Sequence, residues 1–69
     1  NRQAQFMADL CAAASPDDPD KQVQNAVQRT YGREADAEEM DVLMDITHKL
    51  GLATTCRVLI NSNEFVFIN

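Results

Sequence analysis

No stretch of this chain approaches the roughly 20 consecutive apolar residues that a membrane-spanning helix needs, so insertion into a bilayer is not expected. Bases are few and scattered: Arg2, Lys21, Arg29, Arg33, Lys49 and Arg57 stand against eleven acids. A nucleic-acid surface depends on clustered Lys and Arg, so nucleic acid is not an expected partner, and the same scatter argues against an anionic membrane surface. The single histidine, His48, does not lie near Thr54-Thr55-Cys56 in sequence, and there is no internal repeat and no low-complexity tract. Two cysteines, Cys11 and Cys56, neither define a disulfide framework nor exclude a single bridge. Both fall on apolar helical faces, where free cysteine behaves as a small hydrophobe.

What is present is enough for one small domain. A chain of 69 residues buries only about 60% of the surface it exposes when unfolded, so its stability is expected to be marginal. With 45% hydrophobic and 25% charged residues it has ordinary globular composition, and a net charge of −5 keeps it soluble. The first residue is Asn1, not Met, and residues 1–69 are expected to be one helical domain excised from the C-terminal end of a longer protein.

Helical periodicity dominates the pattern. Phe6, Met7, Leu10, Cys11 and Ala14 recur at helical spacing from Gln3 to the stop at Ser15-Pro16. Asp18 followed by Pro19 offers an N-cap and then a residue whose missing N–H is harmless in a first turn. The second helix then carries Val23, Ala26, Val27, Thr30 and Tyr31 inward and Gln22, Gln24, Asn25 and Gln28 outward, and Gly32 closes it. Asp36 to Glu39 reads as a capping box opening a third helix, with Met40, Leu43, Ile46, Thr47 and Leu50 inside, Val42 and Met44 at the margins, and Gly51 at its end. A fourth helix buries Leu52, Cys56, Leu59 and Ile60 and stops at Asn61-Ser62-Asn63. The expected fold is all-α: a compact array of about four short helices with an extended aromatic C-terminal tail, Phe65 to Ile68 being able to form one edge strand.

That tail predicts docking. Phe65, Val66, Phe67 and Ile68 present apolar area worth roughly 1.5–3 kcal/mol per large side chain, and they are expected to cover their own core, the rest of the parent protein, or a second copy of the chain. No catalytic residue and no bound cofactor are expected here. The only metal-ligand pattern is Glu38, Asp41, Asp45 and His48 on one face of the third helix, which a solvated acidic face explains better because a fourth ligand and a second shell are missing. Asp17, Asp18 and Asp20 open like a calcium loop but are interrupted by Pro19, so a capping turn is expected. Thr54-Thr55-Cys56 is read as core rather than nucleophile, and Met7, Met40 and Met44 as gap-fillers rather than a binding groove. Arg33 and Glu64 are charges beside breakpoints, and a pair between Arg33 and either Glu64 or Glu39 is expected to pin the second turn or the tail.

Tyr31-Gly32-Arg33 followed by Glu39, and then Cys56 to Ile68 with Asn61, Asn63 and Glu64 in its polar core, resembles the extreme C-terminal end of the planctomycete-specific cytochrome-associated domain of unknown function. Members end in a helix running into a Leu-Leu-Asn-Ser-Asn-Glu-Phe-like sequence and an aromatic tail. The likeness covers about residues 22 to 69, with Ala35 where many members have proline and Ile60 in place of a second leucine. A phycobilisome-linker-like secreted repeat domain shows a similar rhythm of Arg, acid and Ser-x-Glu-Phe and matches less well. The first resemblance implies a large exported protein, periplasmic or at the cell surface, with a c-type cytochrome-like segment elsewhere. No Cys-x-x-Cys-His occurs here, so haem c belongs to another part of the parent. A helical module that closes such a protein without catalysing anything is the implied role. The alternatives are a self-associating interaction module, or part of an enzymatic or redox site whose chemistry lies upstream, with Asn61, Asn63 and Glu64 contributing polar groups.

Overall fold

Each helix begins and ends where local chemistry supplies a partner for its orphan backbone groups. In the computed structural model, which describes the backbone of residues 2–68 and the side chains of residues 2–62, the order is α1 (Arg2–Ala14), α2 (Pro19–Tyr31), α3 (Ala37–Leu50) and α4 (Leu52–Ile68). There is no strand among the described residues. The Asp18 carboxylate accepts the Lys21 backbone N–H at 3.1 Å, and Pro19 opens α2. Gly32 ends it in the left-handed conformation, φ 73°, donating its N–H to the Gln28 carbonyl. At α3 the capping box is complete: Asp36 Oδ1 accepts the Glu39 N–H at 2.9 Å and Glu39 Oε1 accepts the Asp36 N–H at 3.1 Å. Gly51, the one residue between α3 and α4, has φ 97° and ψ 161°, a conformation open essentially to glycine alone.

Packing centres on α4, which touches α1, α2 and α3, while α2 bridges α1 and α3. The radius of gyration, 10.9 Å, matches the roughly 11 Å typical of a folded chain of this length. The core is built of small side chains: Ala4, Ala8 and Cys11 from α1; Val23, Ala26 and Val27 from α2; Leu43 from α3; Thr55, Cys56 and Leu59 from α4. Small residues let helix axes approach closely, and Met7, Met40, Met44, Tyr31 and Ile60 fill the margins.

Four expectations need correction. In α1 the buried stripe is Ala4, Ala8 and Cys11, with Phe6 66% exposed and Leu10 and Ala14 also outside. The reason is steric, because α1 can lie close against α2 and α4 only on its small-residue side. Leu50, read as inner, is 67% exposed because the chain turns at Gly51 directly after it and α4 leaves without covering it. Gln22 and Gln24, read as solvated, are half-buried and tie down the links: Gln22 Nε2 donates to the Ser15 carbonyl at 2.8 Å, and Gln24 Oε1 accepts the Ala35 N–H at 2.9 Å. Finally, Asn61 and Ser62 lie inside α4 and do not end it. Their unfavourable helix propensity is a fraction of a kcal/mol each, which a helix packed on three others outweighs. The side chains of residues 63–69, and with them the expected docking of Phe65, Val66, Phe67 and Ile68, lie outside the described residues.

Polar contacts cross the α3–α4 core at Thr55, whose hydroxyl meets Thr47 Oγ1 and, at 3.5 Å, the Leu43 carbonyl. Thr55 is fully buried, and its hydroxyl lies 2.6 Å from Thr47 Oγ1, which in turn lies 2.8 Å from the Leu43 carbonyl. Either hydroxyl can donate in that pair, Thr55 Oγ1 also lying 3.5 Å from the Gly51 carbonyl, and every buried side-chain N or O among the described residues has a partner. Replacing Thr55 by Val leaves the Thr47 hydroxyl without this partner and is expected to destabilise by about 1 kcal/mol. Thr47→Val together with Thr55→Val should recover most of that loss. Urea unfolding of the two single variants and the double variant measures this coupling, and strictly additive losses would show that the hydroxyls do not act as a pair.

Candidate functional site

Of the polar motif residues, Arg33 lies at the α2–α3 link. Gly32 turns the chain so that Arg33 faces the first turn of α3, where it makes a two-pronged contact with Glu39: Nη1 to Oε1 at 2.8 Å and Nη2 to Oε2 at 2.9 Å. Nη1 also donates to the Glu34 carbonyl at 2.9 Å, and the guanidinium lies over the Tyr31 ring, 5.4 Å from its centroid. Of the two pairings expected for Arg33, the structure shows the one with Glu39; Glu64 falls outside the described side chains. The guanidinium, followed by the Asp36 N–H, holds the Glu39 carboxyl down to about 2, and Glu39 in turn raises Arg33. Both groups face solvent, so this is a clasp for a link and its charges are satisfied internally.

The metal-ligand pattern is brought to one exposed face but not to one point. Glu38, Asp41, Asp45 and His48 are all exposed, and ten residues of helix separate the first and last by about 15 Å. Asp45 Oδ2 accepts Lys49 Nζ at 3.2 Å, and no group of three or more His, Cys, Asp or Glu among the described residues is placed to hold a metal ion. The aspartates of the first link form the capping turn already described. Asn61 is exposed on α4 and Ser62 half-buried, so neither points into a closed site.

Cys11 and Cys56 are free and fully buried in the same core cluster. Burial pushes the Cys56 thiol up to about 12, with the neighbouring Cys11 adding to the rise; burial also raises Cys11, against an opposing effect of Arg29. A thiol so placed stays protonated at neutral pH and is a poor nucleophile. Thr54 and Thr55 are occupied in hydrogen bonds to the Leu50 carbonyl and to Thr47.

What the chain offers outward is apolar relief. One groove of about 420 Å³ runs between α1, the end of α2 and α4, lined by Phe6, Met7, Leu10, Thr30 and Ile60 with Arg29 and Gln3 on its rim. A second, of about 350 Å³, lies between α3 and α4 over Val42, Leu43, Val58 and Leu59, with Glu38 and Glu39 on its rim. Val42, expected at the margin of the α3 inner face, is 60% exposed; Val58 carries no role in the sequence pattern, and Phe6 and Leu10, expected on the inner face of α1, lie outside. The signal available for α1 was the competing stripe Ala4, Ala8 and Cys11, which shares Cys11 with the larger one.

Comparison of the chain with protein-family models, with curated proteins and with solved structures finds no match. The resemblance drawn above therefore rests on its motif residues alone.

The Arg33–Glu39 clasp generates a pH dependence with a definite sign. Glu39 titrates near 4.5 when unfolded and near 2 when folded, so its contribution is complete above about pH 4.5 and is lost as pH falls toward 2. Glu39→Gln is expected to flatten the fall in urea midpoint across that window while leaving the neutral-pH far-UV spectrum unchanged. An equally steep acid limb in the variant would assign the acid sensitivity to other carboxylates.

Proposed function

We propose that this chain is a non-catalytic helical packing module that closes a larger protein, contributing apolar surface instead of chemistry. The observation that carries the reading is the α1 face: Phe6, 66% exposed, and Leu10 project beside a groove whose other wall includes Ile60, on a domain whose described core is built mostly of smaller residues. Apolar side chains of that size, set together on the outside of a small domain, favour covered surface. The motif of residues 31–39 and 56–68 supports the same role through its resemblance to the C-terminal end of the planctomycete-specific cytochrome-associated domain. On that resemblance the parent is exported, its haem c is carried elsewhere, and the remainder of the parent is the partner.

Phe6→Ser combined with Leu10→Ser separates this role from a core role. In the 69-residue chain the pair is expected to shift the melting temperature by no more than a few degrees, because both side chains are already outside. In the full parent polypeptide the same pair should raise the rate of limited proteolysis at this module by at least about tenfold, from the loss of roughly 1.5–3 kcal/mol per covered side chain. Unchanged protection in the parent would sink the reading.

A further inference from the structure

The α3–α4 groove differs from the α1 groove in the sign of its rim, and that difference defines a second occupant. Its floor is Val42, Leu43, Val58 and Leu59, with Val42 60% and Val58 37% exposed, and its polar lining includes Glu38 and Glu39 but no Lys or Arg. Glu39 is taken up by Arg33. Glu38, and Asp41 one turn further along α3, are exposed carboxylates with no ion-pair partner among the described residues. No buried polar side-chain atom awaits a hydrogen bond there, so nothing is built to orient a small polar ligand.

We infer that the α3–α4 groove docks a basic amphipathic segment of another polypeptide, which sets an apolar side chain between Val42 and Val58 and a Lys or Arg against Glu38 and Asp41. The apolar floor supplies the burial, and the carboxylates left unpaired beside it among the described residues, Glu38 and Asp41, supply the discrimination. A second copy of this chain is the wrong occupant. A two-fold contact through this groove sets the same patch against itself, bringing Glu38 and Asp41 close to their own counterparts, between two chains that each carry a net charge of −5. This inference concerns a different surface from the α1 face and stands or falls independently of it.

The test is an amide-resolved NMR titration of the 69-residue chain with a 14-residue capped peptide of helical Leu/Lys pattern, run beside the same pattern with Glu in place of every Lys. The Leu/Lys peptide is expected to shift the amides of Glu38, Val42, Val58 and Ser62, and the Leu/Glu peptide to shift none of them. Val42→Ser should weaken binding by about tenfold through lost apolar burial. Glu38→Lys should weaken it by several-fold, a loss that shrinks as salt is raised. Both positions are exposed, so both variants fold. The inference is overturned if the shifts centre on Phe6 and Leu10, if both peptides bind alike, if Val42→Ser binds as wild type does, or if the chain alone self-associates through this groove at rising concentration.

Discussion

The close approach of α1 and α2 to α4 is the constraint on which the rest of this molecule depends. The buried positions of these three helices are Ala4, Ala8, Cys11, Val23, Ala26, Val27, Thr55, Cys56 and Leu59, of which only Leu59 is larger than valine. Helices separated by such side chains exclude anything bulky from between them. Among the described side chains, the core is thus made by tight contact of many small groups and by the burial of Leu43 and Leu59. For a chain this short, with little surface to bury, that economy leaves the links and caps a large share of the specification.

The same constraint produces the surface. Phe6 and Leu10 do not fit between α1 and its neighbours, and Val42 and Val58 flank a cleft that Leu43 and Leu59 floor. Apolar side chains displaced from a small-residue core gather in grooves at helix junctions, and each groove takes its electrostatic character from the helix that rims it. Arg29 of α2 lies beside one, and the acidic first turn of α3 beside the other. That turn is acidic for a local reason, since carboxylates at a helix N-terminus answer the unpaired N–H groups and the positive end of the dipole. Capping chemistry and surface recognition therefore draw on neighbouring residues of one turn, with Glu39 spent internally and Glu38 left facing outward.

The links are specified by side chains that belong to the helices. Gln24 reaches from α2 to exchange hydrogen bonds with Ala35, Gln22 holds the Ser15 carbonyl, and Arg33 spans from the end of α2 to Glu39. With these contacts in place α3 has little freedom in where it starts, and the glycine conformation at Gly51 then directs α4 back along it. Across that corner the Thr47–Thr55 hydroxyl pair supplies a directional contact in a core that is otherwise nonspecific.

Local chemistry written in single residues decided the number of helices, the starts of α2 and α3, and the ends of α2 and α3. Asp18-Pro19, Gly32, the Asp36 to Glu39 box and Gly51 act over three or four residues, so their effects are legible without a fold. The inner stripe of α2 was equally plain because only one apolar face exists there. In α1 two stripes compete, and hydrophobicity alone favoured the larger side chains. Which stripe is buried depends on how near the neighbouring helices come, and no residue of α1 carries that distance. The same holds for the fate of Asn61 and Ser62, whose local preference for breaking a helix yields to α4 packing against three others. Tertiary structure alone decided which apolar residues became core and which became surface, because burial is a property of the space between elements and not of the elements themselves.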